Sequence, residues 1–502
     1  MKAKASLVNY IFSLSNVGFA IVNGILLVPL YLHYINVELY GFWLAGSNII
    51  GLLSVFEGGL ATIITQKLSN ALINKKDEEF LNLSYANFFV SFFVCSIIVL
   101  LGIGIAFLAP HLLSIKKTDS AQLVLALCFL SMSTGFTLFA HQLGAYPQVF
   151  QLTTIPGLNN LLSILISFAS IFILLINGFG IISLAIGVFI RGLIFLLGNL
   201  IYVLFIWKKF KLGKPICSKK INIELVKECI LPLASKISNS IINNSQSFII
   251  GVFIGGAYTV IYDFTGKIIS TLRILVSTIG GATFASLSII FAGNNQKSKR
   301  ESFSLVNQIH LNLLFIFSIV SFLFSKSVIA IWVGKQFYGG DLLLFFIIIS
   351  VVIQERKSFF YLVLNMLGYF KKAAQWDIVN SITFILLLII LGKCKFGILA
   401  IPISIGLSSV LSLVMFQFYL KKNSNFEVFY GSKNYILASI ISLILFFFYN
   451  FGAFDTTSIF KIFFSSIFII LSLVAFIAFS NKPLRIIISN KFFYFSGKPN
   501  RE

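Results

Sequence analysis

The sequence predicts an all-α integral membrane protein with about 14 transmembrane helices: two pseudo-symmetric six-helix bundles around a central cavity, plus two C-terminal helices. Three observations carry this. The chain is 58% hydrophobic and only 11% charged, whereas a soluble globular domain has about 25% charged residues. Apolar segments of about 20 residues recur from end to end, each long enough to cross about 30 Å of hydrocarbon. A β-barrel would instead show alternating segments of about 10 residues. Finally, motifs from the first half return in the same order in the second, as an internal repeat requires.

Spans fall near residues 8–32, 39–66, 83–108, 120–146, 155–177, 179–206, 224–253, 257–290, 302–324, 341–367, 374–392, 397–420, 434–451 and 458–480. The opening MKAKASLVNYIFSLSNVG has no compact apolar core followed by a small-residue cleavage site. It reads as a retained first span rather than a signal peptide. Orientation follows from the connecting loops. One alternate set carries dense positive charge, including Lys67, Lys75 and Lys76, then Lys208, Lys209, Lys211, Lys214, Lys219 and Lys220, then Lys297, Lys299 and Arg300. The opposite set carries little beyond Lys116, Lys117, Lys326, Lys335, Lys393, Lys395 and Lys461. The positive-inside rule places the basic loops and both termini in the cytoplasm.

The same placement disposes of a nucleic-acid reading. The formal net charge is +22, but the basic residues sit in short loops between spans rather than on one continuous face. Cys95, Cys128, Cys217, Cys229 and Cys394 are scattered, with neither a disulfide framework nor CxxC spacing. His33, His111, His141 and His310 are likewise isolated, without metal-ligand spacing. No cofactor and no metal are expected.

The repeat is read from three matches. YGFWLAGSNIIGLLSVFEGG, from Tyr40, aligns with YDFTGKIISTLRILVSTIGG, from Tyr262. HQLGAY aligns with NMLGYF, and FGIISLAIG with FGILAIPISIG. A spacing near 220 residues covers six spans, an even number that preserves orientation, so the halves are related by an axis along the membrane normal. The expected organisation is a first lobe at 1–210, a second at 211–422 including the cytoplasmic connector KKFKLGKPICSKK, and two extra helices with a tail at 423–502.

Two helices carry most of the polar signal. In the first span, Asn9, Ser13, Asn16 and Asn23 share a narrow helical sector. In the seventh, Lys236, Asn239, Ser240, Asn243, Gln246 and Ser247 do the same. A polar face at membrane depth must look at protein or at water, and interhelical hydrogen bonding is the bland account of it. The eighth span adds Asp263, Lys267, Ser270, Arg273 and Ser277 on one sector. Asp263 and Lys267 stand i,i+4 and can neutralise one another; Arg273 then lacks a local partner and is available to an anionic ligand. Of the six arginines, Arg191, Arg273 and Arg356 lie inside spans, and guanidinium suits bidentate phosphate binding. For Arg356, mutual pairing with neighbouring Glu355 and Lys357 is the structural alternative; for Arg191 both readings stay open.

Glu57 raises the opposite question, because a carboxylate inside an apolar span is functional by default. Tyr40 to Glu57 is about 26 Å of helix, which places the carboxylate near the cytoplasmic interface. The repeat lays it on Ile279, away from the sector of Asp263. A packing or gating role is favoured over ion coupling, with Asp263 the other coupling candidate.

NY…VPLYLHYINVELYGFWLAGSNIIGLLSVFEGGLA resembles the first two helices of Wzx-type O-antigen flippases, members of the multidrug/oligosaccharidyl-lipid/polysaccharide (MOP) exporter superfamily. IWVGKQF and LNMLGYFKKAA, either side of the tenth span, resemble the same family. The resemblance covers essentially the whole chain. It implies two six-helix lobes of the MATE/MOP type around a cavity lined by helices 1, 2, 7 and 8, working by alternating access in a bacterial cytoplasmic (inner) membrane. The substrate implied is an undecaprenyl-diphosphate-linked glycan, with its lipid tail left in the bilayer. By position, Lys236, Lys267 and Arg273 would bind the diphosphate, and Asn16, Asn23, Asn239, Asn243 and Ser270 would line the cavity. Membrane lipid and polysaccharide polymerase or assembly proteins are the implied partners, with proton or sodium coupling open.

Competing functions are a peptidoglycan-precursor flippase, a MATE-type multidrug antiporter and, from a different class, a membrane-embedded glycosyl polymerase or ligase. The antiporter calls for an acidic interior, which this chain lacks. The polymerase calls for larger outer loops; the longest here, roughly 325–340, has no catalytic constellation. The chain is expected to be a transporter rather than an enzyme.

Overall fold

The computed structural model describes residues 18, 24–57, 59–113, 115, 117–152, 154–213, 219–293 and 295–424. Asn9, Ser13, Asn16 and Asn23 of the first span, and the whole of the two C-terminal spans, lie outside the described residues. The described chain is helical in nearly every segment. In order the helices are α1 (Gly24–Tyr34), α2 (Val37–Leu53), α3 (Leu60–Ile73), α4 (Asp77–Leu112), α5 (Lys117–Leu143), α6 (Ala145–Val149), α7 (Thr154–Ile176), α8 (Ile181–Lys209), α9 (Lys219–Phe253), α10 (Gly256–Thr265), α11 (Lys267–Ala292), α12 (Gln296–Trp332), α13 (Asp341–Met366), α14 (Phe370–Lys393) and α15 (Ala400–Ser424).

Among the described residues, eight helical segments are long and apolar enough to cross a membrane. The chain is a multi-pass membrane protein. Its lipid-facing surfaces are visible as exposed apolar side chains. On α4 these include Phe88, Phe89, Phe92, Phe93, Leu100 and Leu101, and on α14 Ile382, Ile385, Leu386, Ile389 and Ile390. In water such a patch would drive aggregation; against acyl chains it is the expected solvent face. Helix starts follow ordinary capping. The Asn36 side chain accepts from Glu38 N at the head of α2, and Asn295 accepts from Lys297 N and Ser298 N at the head of α12. Asp77, Glu78 and Glu79 fill the first turn of α4, where the helix dipole favours negative charge.

The chain divides into two compact units, Met1–Val260 and Ile261–Glu502. In the first, α5 packs on α4 and α8, α7 packs on α8, and α9 lies along α2. A core of Ile64, Leu68, Phe80, Leu83, Leu143, Tyr146 and Val203 joins α3, α4, α5, α6 and α8. At one end of α2 the backbones nearly touch. A methyl group on Gly41 would stand 1.8 Å from the Gly256 carbonyl oxygen, so only a residue without a Cβ fits. In the second unit α13 is central, packed by α11, α12, α14 and α15, with Phe303, Phe359, Phe360, Val363, Phe416 and Leu420 in its core.

Two spans read as continuous helices are interrupted. The second span breaks after Leu53 into a tight 3-10 turn, Ser54–Glu57. It restarts at Leu60 after Gly59, whose φ of 82° is left-handed, the region glycine enters without steric cost. The eighth span is interrupted at Gly266, between Asp263 and Lys267.

Candidate functional site

Glu57 is the last residue of the turn between α2 and α3. Its Oε1 accepts from Ala61 N at 3.0 Å and from Gln142 Nε2 at 2.9 Å. Its Oε2 accepts from Gly59 N at 3.3 Å and from Lys236 Nζ at 2.9 Å. The carboxylate therefore does two things at once. It supplies negative charge and acceptors to the part-buried amides at the head of α3, which have no partner within the helix. It also pairs with a cation on α9, 179 residues away. The Lys236 side chain is 46% exposed and Glu57 only 16%, so the glutamate is the anchored partner and the lysine the accessible one.

The stripe on α9 is partly self-satisfied. Asn243 Nδ2 donates to Asn239 O at 2.8 Å, Asn244 Nδ2 to Ser240 Oγ at 2.7 Å, and Gln246 Nε2 to Ile242 O at 2.9 Å. Such i−4 bonds keep polar side chains on their own helix. Asn243 remains exposed and Asn239 half-buried. Arg191 lies half-buried on α8, four residues before Phe195, whose ring meets His141 edge-on at 5.0 Å.

In the second unit the expected i,i+4 pair is present despite the interruption at Gly266: Lys267 Nζ donates to Asp263 Oδ2 at 3.3 Å, both partly exposed. Ser270, exposed on α11, donates to Lys267 O at 2.9 Å. Arg273 departs from expectation. It has no acidic neighbour on its own helix, but Glu355 of α13 reaches it, with Nε to Oε1 at 2.6 Å.

The trio on α13 also departs from expectation. Glu355, Arg356 and Lys357 do not pair with each other. Glu355 goes to Arg273 on α11. Arg356 goes to α12, donating from Nη2 to Asn307 Oδ1 at 2.6 Å and meeting His310 Nδ1 through Nη1 at 3.1 Å. Its guanidinium also lies 4.8 Å from the Phe360 ring centroid and 5.3 Å from that of Phe359, within cation–π range. Lys357 goes to Asp377 on α14 at 3.0 Å, with side chains 1% and 0% exposed. The reason is geometric. Consecutive helical residues point about 100° apart, so neighbours in sequence cannot face one another. One turn of α13 therefore sends two ion pairs and one set of hydrogen bonds to three different helices.

Among the described residues no cluster of three or more His, Cys, Asp or Glu side chains is placed to hold a metal.

Comparison with known proteins places this geometry. The chain is similar in fold to a lipid II flippase, MurJ, in an inward closed conformation, with 17% identity, a TM-score of 0.69, and coverage of 93% of this chain and 98% of that one. It is also similar to a multidrug resistance MATE family transporter of the MOP superfamily in an inward-facing conformation, with 14% identity, a TM-score of 0.56, and coverage of 81% and 99%. An outward-facing MATE structure matches at 12% identity and a TM-score of 0.54, covering 82% and 92%. At these identities the likeness establishes the fold alone, the one these structures share. No curated protein sequence matches the chain. The family model for polysaccharide biosynthesis proteins matches residues 48–339, more than half of the chain, and the chain belongs to that family.

Proposed function

We propose that the protein is a flippase that carries an undecaprenyl-diphosphate-linked oligosaccharide, an O-antigen unit or similar, from the inner to the outer leaflet of a bacterial cytoplasmic membrane by alternating access. Both termini lie in the cytoplasm, and the glycan's lipid tail stays in the bilayer. The observation that carries this reading is the polysaccharide biosynthesis family match on a chain with a MOP transporter fold. The cations inside the spans give it chemistry. Lys236, Lys267 and Arg273 are each held by a carboxylate, yet each remains partly exposed, so an anionic headgroup can compete for them. Asn239, Asn243 and Ser270 are the sugar-facing polar groups in this reading, and Arg191 remains a candidate further cation. Polymerase and assembly proteins that use the translocated glycan are the proposed partners.

The fold likeness to a lipid II flippase favours a second reading, in which the glycan is a peptidoglycan precursor. Depleting the protein in its host and identifying the lipid-linked saccharide that accumulates on the cytoplasmic leaflet separates the two. Accumulation of a repeat-unit glycan supports the first; lipid II supports the second; no lipid-linked saccharide at all overturns both.

A further inference from the structure

The outward face of α8 changes character at its end. Leu197, Ile201, Leu204 and Phe205 are exposed apolar side chains, spaced to share a sector about 100° wide, and Lys208 falls in the same sector. Beside it, Lys209 Nζ stands 5.8 Å from the ring centroids of both Phe205 and Phe210, within cation–π range. Phe210 is itself stacked on Phe150 at 4.3 Å. The helix then stops in a defined turn: Lys211 N donates to Lys208 O, Leu212 N to Trp207 O, and the Trp207 indole to Gly213 O at 3.0 Å. Lys211 makes this turn with a φ of 49°, a left-handed position where glycine is the usual residue because a Cβ is strained there. The helix dipole favours cations at this end, yet glycine at 211 would relieve the strain and still leave Lys208 and Lys209 in place. All three lysines are exposed, and among the described residues none of them forms an ion pair. The sequence holds no Asp or Glu between Asp119 and Glu224. Asp77, Glu78 and Glu79 head α4, which meets α8 through Phe80 and Trp207, but among the described residues that head pairs only with Lys76, through Glu79.

We propose that the end of α8 is a binding site for an anionic phospholipid, with an acyl chain along Leu197, Ile201, Leu204 and Phe205 and the phosphate at Lys208, Lys209 and Lys211. The dimensions agree. Leu197 to Lys208 spans about 16 Å of helix, close to the roughly 15 Å depth of hydrocarbon in one leaflet. An apolar strip alone accepts any lipid, and a cation cluster alone accepts any anion. The two in sequence along one helix face select a molecule that has both parts. The chain carries its own contrast. Lys297, Lys299 and Arg300 begin α12 and are equally cationic, but Glu301 follows them and no side chain from 302 to 325 is exposed. That cluster has no strip on which an acyl chain could lie. A lysine near an anionic membrane surface contributes about a fivefold gain in affinity, so three together favour an anionic over a zwitterionic headgroup by well over tenfold. The site uses none of the cations proposed to hold the diphosphate and does not depend on which glycan the protein carries.

The test is native mass spectrometry of the full chain in detergent, titrated with phosphatidylglycerol or with phosphatidylcholine of the same acyl chains. Wild type is expected to bind its first phosphatidylglycerol at least tenfold more tightly than phosphatidylcholine. Lys208→Ala, Lys209→Ala and Lys211→Gly combined should lose most of that preference. Lys297→Ala, Lys299→Ala and Arg300→Ala combined remove the same charge and should keep it. Lys211→Gly alone should bind phosphatidylglycerol about fivefold more weakly yet melt no earlier, because glycine relieves the left-handed turn, so its weaker binding is not unfolding. Glycerol phosphate, a headgroup without chains, should not displace the lipid at equal concentration. Equal affinity of wild type for the two lipids, equal loss in the two triple variants, or displacement by glycerol phosphate overturns the proposal. The comparison of the two lipids needs wild type alone, so an unstable variant still leaves the proposal exposed to refutation.

Discussion

Glu57 and Lys236, 179 residues apart, meet at 2.9 Å, and the glutamate is also an acceptor for the backbone amide of Ala61. One carboxylate thus starts α3 and holds α9.

An asymmetry between the two partners follows. Glu57→Ala removes a helix-capping acceptor, worth about 0.5–2 kcal/mol, together with the acceptor for Gln142. Lys236→Ala removes an exposed partner, worth no more than about 1 kcal/mol. In detergent, thermal stability should fall clearly for Glu57→Ala and little for Lys236→Ala. In cells at matched abundance the order should reverse, with Lys236→Ala causing the greater build-up of lipid-linked saccharide. Equal losses of stability would remove the distinction.

The Lys357–Asp377 pair is almost wholly buried. Removing either member alone deprives the other buried charge of this ion pair and should cost about 3–5 kcal/mol. Lys357→Met with Asp377→Leu should recover most of the loss, since apolar side chains of similar volume often replace a buried pair without penalty. Denaturant or thermal titration of the two single variants and the double variant checks this. A double variant as unstable as the singles would refute it.

Arg356→Lys is not a conservative change. A lysine ammonium cannot hold both Asn307 and His310 while staying within cation–π range of Phe359 and Phe360, as the forked guanidinium does. The expected loss is about 2 kcal/mol, with no change in affinity for a diphosphate. A marked loss of that affinity would mean that Arg356 reaches the ligand.

Gly41→Ala places a methyl 1.8 Å from the Gly256 carbonyl oxygen, far inside contact distance, and backbone on both sides leaves no flexible side chain to yield. The ends of α2 and α10 must separate. A cysteine at Thr259, which is fully buried in the parent, should react with a maleimide markedly faster in the Gly41→Ala background. Unchanged reactivity would mean that the close approach is not maintained in the membrane.

Much of this architecture was legible in the residues. The helices from α2 to α15 follow the expected spans, because length and apolarity are decided by the bilayer rather than by tertiary detail. The Asp263–Lys267 pair followed from i,i+4 spacing alone. The partners of Arg273 and Lys357 did not, since Glu355 and Asp377 lie 82 and 20 residues away and no local rule connects them. A signal was present all the same: three adjacent charges on one helix fan outward and must each find a separate neighbour. The break after Leu53 had its signal too, in a glutamate that supplies a polar acceptor two residues before Gly59, whose left-handed φ precedes the restart of the helix. Apolar continuity on both sides concealed it.

The three-way anchoring of α13 bears on how the protein is made. A helix with Glu355, Arg356 and Lys357 in consecutive positions inserts poorly on its own, at about 2.5–3.5 kcal/mol for each charge near the bilayer centre. Two of its partners, Arg273 and Asn307, are synthesised before it, but Asp377 emerges afterwards. The Lys357–Asp377 pair therefore forms only once α14 arrives, and the second unit should enter the bilayer as one cooperative group of helices, not one span at a time.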